Sequence, residues 1–172
     1  MASELLQSLL TECGLAEKAV PVDERFVRLQ YGSAFVLLGI SGTAVVAVSP
    51  LFRQLPAQNV EAFYRKLLAH NAQMGGMASF ALQDDGWVVL HAGRSIKGLD
   101  ANELAVLVSA VGRFADQYDD ELIREFYASP RATSVAVWDD EPAGEAPPIA
   151  AASEDSAAAA ATPKDEPTGE PV

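Results

Sequence analysis

Three observations place this chain in the α+β class. A short amphipathic segment precedes three strand-like runs, a helix–hairpin–helix unit follows them, and the breaks between the strands are too short for a crossover helix. The predicted order is α-β-β-β-α-β-β-α, with one antiparallel five-stranded sheet and the helices mainly on one of its faces.

Ser3 to Cys13 reads as the first helix. Leu5, Leu6, Leu9, Leu10 and Cys13 fall on one side, and Gly14 follows as a C-terminal stop. After a connection with Pro21 and Asp23-Glu24, Arg25 to Tyr31 alternates, with Val27, Leu29 and Tyr31 on one face and Arg28 and Gln30 on the other. Ala34 to Ile40 and Thr43 to Val48 are nearly continuous in apolar residues. Gly32-Ser33 and Ser41-Gly42 separate the three runs, which therefore form a meander. Pro50 and Pro56 are expected to end this part of the sheet.

The unit from Ala57 to Tyr118 organises the rest. Val60, Phe63, Tyr64, Leu67, Leu68 and Asn71 make the stripe of a core-facing helix, and Gly75-Gly76 stops it. Phe80 and Leu82 alternate with Ser79, Ala81 and Gln83. Asp84-Asp85-Gly86 turns the chain, and Trp87 to Ala92 returns as the second strand of a hairpin. Asp100 is placed as an N-cap with Glu103 as its capping-box partner. Leu104, Leu107, Val108, Val111, Ala115, Tyr118 and Leu122 form the last stripe, which is expected to run past Tyr118 through Ile123 and Phe126 and to end before Pro130. Thr133 to Trp138 is a short apolar run expected to dock on the body or to add an edge strand.

The chain has 172 residues and a net charge of −12. From Asp139 on, nine carboxylates face Lys164 alone, a net −8, which leaves −4 for residues 1–138. Residues 1–138 are read as one domain and 139–172 as an acidic Ala/Pro-rich tail. The tail has too little apolar surface to offset its ordering entropy and is expected to be disordered. It reads as a solubilising linker, with a binding segment for a basic partner as the alternative. A mildly acidic body with scattered basic residues argues against direct nucleic-acid binding. Cys13 is the single cysteine, so there is no internal disulfide, and it reads as a small core residue. No signal peptide is visible and no apolar run approaches the roughly 18 residues of a membrane span. A cytoplasmic protein without membrane contact is expected.

The reactive residue types do not gather into a site. His70 and His91 are the only histidines, and both read as structural or surface residues. No Ser-His-Asp set, metal-ligand spacing or phosphate loop can be assembled, and no cofactor is expected. Met74 and Met77 flank the double glycine and read as gap-fillers, with an adaptable binding surface as the alternative.

The informative oddity is the sheet. An antiparallel sheet with one wet face should alternate, yet the second and third strands are apolar on both sides. Phe35, Leu37, Val45 and Ala47 are grouped on one face, and Val36, Leu38, Ala44, Val46 and Val48 on the other. One face packs on the helices and the other needs a cover. The nominated dimer or partner surface is Phe35, Leu37, Val45, Trp87 and Val89.

Several stretches carry a family resemblance. They are Leu67-Leu68-Ala69-His70-Asn71-Ala72, Gly75-Gly76, Phe80-Ala81-Leu82, Asp85-Gly86, Val88-Val89-Leu90, Gly98-Leu99-Asp100 and Glu103-Leu104. With the element order, they make the chain, over roughly Leu5 to Tyr118, resemble type III secretion chaperones of the Tir-chaperone type and the related YbjN family. The resemblance implies a secretion-chaperone-like fold and a small acidic protein, usually homodimeric, that binds a non-globular segment of another protein. YbjN-like members are linked with regulation and stress. The long acidic tail departs from the compact secretion chaperones.

The expected function is therefore a non-enzymatic, chaperone-like protein that binds a segment of a partner protein as a homodimer. The alternative is a regulatory or scaffold protein in a stress or DNA-repair assembly that contacts its partner through the acidic tail.

Overall fold

The computed structural model describes residues 2–127. The expected docking of Thr133–Trp138 and the acidic tail from Asp139 lie outside the described residues. The order is α1 (Ala2–Glu12), a 3-10 turn (Ala16–Lys18), β1 (Val20–Pro21), β2 (Phe26–Tyr31), β3 (Ala34–Ser41), β4 (Ala44–Phe52), α2 (Val60–Gln73), β5 (Ser79–Leu82), β6 (Val88–Ser95) and α3 (Ala101–Leu122). A π-helical turn, Ile123–Tyr127, continues α3.

The strands form one antiparallel sheet in the order β1-β2-β3-β4-β6-β5. Among the described residues it has six strands, not the expected five. The addition is β1, two residues that pair Val20 with Arg28 and Pro21 with Val27 at the sheet's edge, where a proline's missing N–H costs nothing. Pro50 does not end β4. The strand passes through it to Phe52, and its pairing with β6 shifts between Pro50 and Phe52, the irregularity that lets a proline sit in a central strand.

The helices lie on one face. α3 runs across β2, β3, β4 and β6, α1 packs on β3 and α3, and α2 reaches β5. Residues paired across antiparallel strands share a face, so the register identifies the covered rows. Leu29 pairs with Val36, Leu38 with Ala47, Ala47 with Ala92, Ser49 with Leu90, and Leu90 with Phe80. All are buried, and the apolar ones join Leu6, Leu10, Phe63, Leu67, Leu104, Val108 and Val111 in one core.

Local chemistry sets the element ends. The Asp100 carboxylate accepts from the Glu103 N–H at 2.7 Å and caps α3. Gly75 and Gly76 take φ of 60° and 79° after α2, a conformation that glycine adopts without strain. The Asn71 side chain brackets the Phe80 backbone, accepting from its N–H at 2.7 Å and donating to its carbonyl at 3.3 Å, and so ties α2 to β5. The stripe of α2 is narrower than expected. Phe63, Leu67, His70 and Met74 are buried, while Leu68 is 67% exposed because it lies about 100° round the helix from Leu67. No helix among the described residues is long and apolar enough to cross a membrane.

Candidate functional site

The face of the sheet turned away from the helices is built by the opposite parity. One row runs Arg28, Leu37, Val48, His91 and Ser79 across the strands. A second holds Gln30 beside Phe35, and Pro50, Val89 and Ala81. A third holds Phe26, Gly39, Val46 and Gly93. Polar groups frame the apolar centre on both sides, with His91 and Ser79 towards β5 and cations towards β2. The Arg28 guanidinium carbon stands 5.7 Å from the Phe35 ring centroid, and that of Arg25 stands 5.9 Å from the Phe26 ring centroid. Such placements attract a cation to the ring face and leave its N–H groups available to carboxylates. Phe26 lies over Gly39 so closely that a Cβ there would run into its ring.

Leu37, Val48 and Val89 are 3%, 3% and 2% exposed, yet none of them belongs to the core that the helices pack. This dry patch is therefore a second apolar surface of the sheet, separate from the main core.

Of the five residues nominated from sequence, Phe35, Leu37 and Val89 lie on this face. Trp87 precedes β6, shares the parity of Val89 and is half-buried. Val45 does not lie there. It is fully buried among the helix-packed residues, because the β3–β4 hairpin closes with Ser41 paired to Ala44, which puts Val46 and Val48 beside Leu37 and turns Val45 and Ala47 to the helices.

A further apolar surface contains Met77, for which the sequence offers an adaptable surface as the alternative to gap-filling, and adds residues of α3 that the sequence does not single out. Met77, Val106 and Phe114 line a shallow hollow of about 400 Å³ on the flank of α3, with Met77 and Val106 45% and 53% exposed. Val106 lies off the stripe of α3, and that offset was the available signal. Met74, its neighbour across the double glycine, is a fully buried gap-filler.

His70 is structural. Its ring is buried against Tyr118 with centroids 4.1 Å apart, Nδ1 lies 3.4 Å from Gln73 Oε1, and Nε2 stands 3.7 Å from Glu121 Oε1. Glu121 also pairs with Lys66 at 2.7 Å, and Lys66 with Glu125 at 3.0 Å, so this cluster joins α2 to the end of α3. The pairing with Glu121 raises the Lys66 pKa, and the Lys66 ammonium lowers that of Glu121. Among the described residues no three metal-ligating side chains gather.

The α+β architecture, a helix layer on one side of an antiparallel sheet, matches that of the secretion chaperones. The chain belongs to the Tir chaperone protein (CesT) family, whose model matches residues 4–114. Two solved structures are similar to it. One is the Yersinia pestis type III secretion chaperone SycH, in complex with a stable fragment of YscM2. It is 21% identical with a TM-score of 0.48, over 68% of this chain and 98% of that one. The other is a chain of the ExsC–ExsE complex, 16% identical with a TM-score of 0.52, over 74% of this chain and 95% of that one. The second likeness supports the fold. No curated protein matches the sequence.

Proposed function

We propose that this protein is a non-enzymatic, cytoplasmic chaperone that acts as a homodimer and binds a segment of a partner protein across the helix-free face of its sheet. The observation that carries the proposal is the apolar patch of Leu37, Val48 and Val89, dry yet outside the helix-packed core, with the half-buried Phe35 beside it. Family membership supports it, and so does the similar ExsC–ExsE structure, which is a complex. An extended segment suits a sheet face, because alternate side chains reach the apolar rows while the arginine rim holds acidic groups. A typical interface buries about 800 Å² on each partner.

The test is Val89→Arg in the full chain, with sedimentation and with capture of partners from the native extract. Loss of a captured partner by a folded variant of unchanged mass assigns the face to the partner. Halving of the mass assigns it to the dimer. A folded variant that keeps both its mass and its partner overturns the proposal.

A further inference from the structure

The sheet is open, and among the described strands its two edges are β1 and β5. An edge displays backbone groups that another strand can pair with, and natural edges are blunted by charges, prolines or shortness. β1 is two residues long and carries Pro21. β5 has neither charge nor proline to protect it, since Met74 to Gln83 contains none. We propose that the outer edge of β5 is a pairing surface for the β5 of a second copy of this chain, and that the Asn71 carboxamide holds it shut. This surface is separate from the helix-free face and goes beyond the partner reading above.

The ladder fixes which atoms face outward. Gln83 donates its N–H to the Trp87 carbonyl at 2.8 Å, so these two residues form a hydrogen-bonded pair. Such pairs alternate with non-hydrogen-bonded ones along an antiparallel ladder. Leu82 with Val88 and Phe80 with Leu90 are therefore of the second kind, and the backbone N–H and C=O groups of Phe80 and Leu82 point away from β6. At Phe80 one side chain takes both. Asn71, in the last turn of α2, accepts from the Phe80 N–H at 2.7 Å and donates to its C=O at 3.3 Å. A carboxamide carries the donor and the acceptor of a peptide group, so it makes the two bonds that a neighbouring strand would make. Leu82 lies beyond this clasp, and its side chain is exposed.

The edge fits its own copy. Two β5 strands laid antiparallel about a two-fold axis at Ala81 put Phe80 of each copy opposite Leu82 of the other. The outward N–H and C=O of each residue then meet those of its opposite, and the ladder continues from one sheet into the next. No like charges meet across that pairing, because the strand has none. The second strand and the Asn71 side chain compete for the same two atoms of Phe80, so pairing requires the carboxamide to leave.

Amide hydrogen exchange on the full wild-type chain reads the clasp directly. The Phe80 N–H is expected to exchange about tenfold more slowly than the Leu82 N–H, although both face outward on an edge strand. In full-length Asn71→Ala at low concentration, the Phe80 N–H should exchange as fast as that of Leu82. As concentration rises, the sedimenting mass should climb above that of wild type while circular dichroism stays unchanged. Adding Leu82→Lys puts a charge on the edge and should return the mass to the wild-type value. Asn71→Ser, too short to reach both atoms, is the second variant and should behave as Asn71→Ala does. Equal exchange at Phe80 and Leu82 in the wild type overturns the proposal. So do folded Asn71 variants that keep the wild-type mass at every concentration. A rise in mass that survives Leu82→Lys overturns it too, because the copies then meet elsewhere. Failure of both Asn71 variants to fold does the same, because Asn71 then holds the fold together and guards no edge. Asn71, Phe80 and Leu82 lie outside the rows of the helix-free face, so these outcomes are independent of Val89→Arg.

Discussion

Both faces of this sheet are apolar, but they are apolar in different ways. The helix side is made of paired small and branched residues, such as Leu38 with Ala47 and Ala47 with Ala92, which form a regular bed for α1 and α3. The other side mixes Phe26, Phe35 and Leu37 with two glycines and a proline, and arginine and histidine close its rows. A bed of uniform depth suits a permanent helix. An uneven patch with a charged rim suits an extended chain that can leave, because its grooves are shallow and its edge is polar. Counting hydrophobic residues does not separate the two, whereas register and rim do.

The sharpest way to break the comparison is to put the same charge on each face. Val45→Arg buries an unpaired guanidinium in the helix-packed core, where Val45 is fully inaccessible. It is expected to cost about 4 kcal/mol or more and to leave the chain unfolded or insoluble. Val89→Arg falls outside the helix-packed core, on the face whose rows end in polar groups that a long side chain can reach. It is expected to cost about 1–2 kcal/mol and to fold. Urea denaturation of both variants gives the answer, and equal losses would erase the distinction between the faces.

The tightness of the helix side can be tested at Gly112. There α3 crosses β2 so closely that a Cβ would run into the Tyr31 ring. Gly112→Ala gains about 1 kcal/mol of helix propensity but forces the ring off its seat, an overpacking cost of about 1–3 kcal/mol. A net loss of about 1 kcal/mol is expected by thermal or urea unfolding. A stabilised variant would mean that the bed is looser than its geometry indicates.

Much of this arrangement was legible in advance, and the failures have a common cause. The order of elements, the Asp100 cap, the glycine stop after α2 and the Asp85-Gly86 hairpin are written in local chemistry, and all are present. Asn71 was placed at the polar end of its stripe, and it bridges to Phe80. What was not legible depends on pairing. Grouping Phe35 and Leu37 with Val45 required the register of the β3–β4 hairpin. With Gly42 and Thr43 as the loop, Ser41 meets Ala44, and residues of opposite parity share a face. β1 is too short to have a period, and the continuation of β4 through Pro50 depends on a bulge that no local rule announces. Leu68 falls on the stripe by its i+8 spacing from Val60, but α2 touches the body along a narrower stripe and leaves it exposed. Of the candidate patch, Phe35, Leu37 and Val89 could be found by the lack of alternation. The arginine rim could not, because Arg25 and Arg28 acquire meaning only when β2 is laid beside β3.

Tyr127 pins the π-helical turn after α3 to the end of β4, through Phe52 and the Gln54 carbonyl. Tyr127→Phe removes its hydrogen bond to Gln54 and keeps the ring stacked on Phe52. A loss of about 1 kcal/mol is expected. Burial, with a smaller contribution from Tyr64, holds the phenol pKa well above its usual value. The folded protein therefore keeps this proton at a pH where the unfolded chain releases it. That stability is present below about pH 10 and falls as pH rises past it. The wild-type chain should weaken at alkaline pH in urea titrations, and the difference between wild type and Tyr127→Phe should shrink there.

The smallest effect is expected at the charged clasp between α2 and α3, and it bears on whether the helix side is held by packing or by charge. Lys66 and Glu121 are 30% and 36% exposed and 2.7 Å apart, with Glu125 as a second acceptor. Solvent screens a pair this open, so Glu121→Gln should cost less than about 1 kcal/mol at neutral pH. The two shifts define the window. Lys66 lowers the Glu121 pKa, so that contribution is present above the ordinary carboxylate range of about 4 and is lost as pH falls through the lowered folded value. The two glutamates raise the Lys66 pKa, so its contribution is present below about pH 10 and is lost as pH rises through the raised folded value. The difference between wild type and Glu121→Gln should therefore be flat between about pH 5 and 10, vanish in acid, and shrink in molar salt, because a pair this exposed is reached by counterions. A loss of several kcal/mol that persists in salt would mean that charge holds α2 to α3, and the contrast between a packed face and a charge-rimmed one would have to be redrawn.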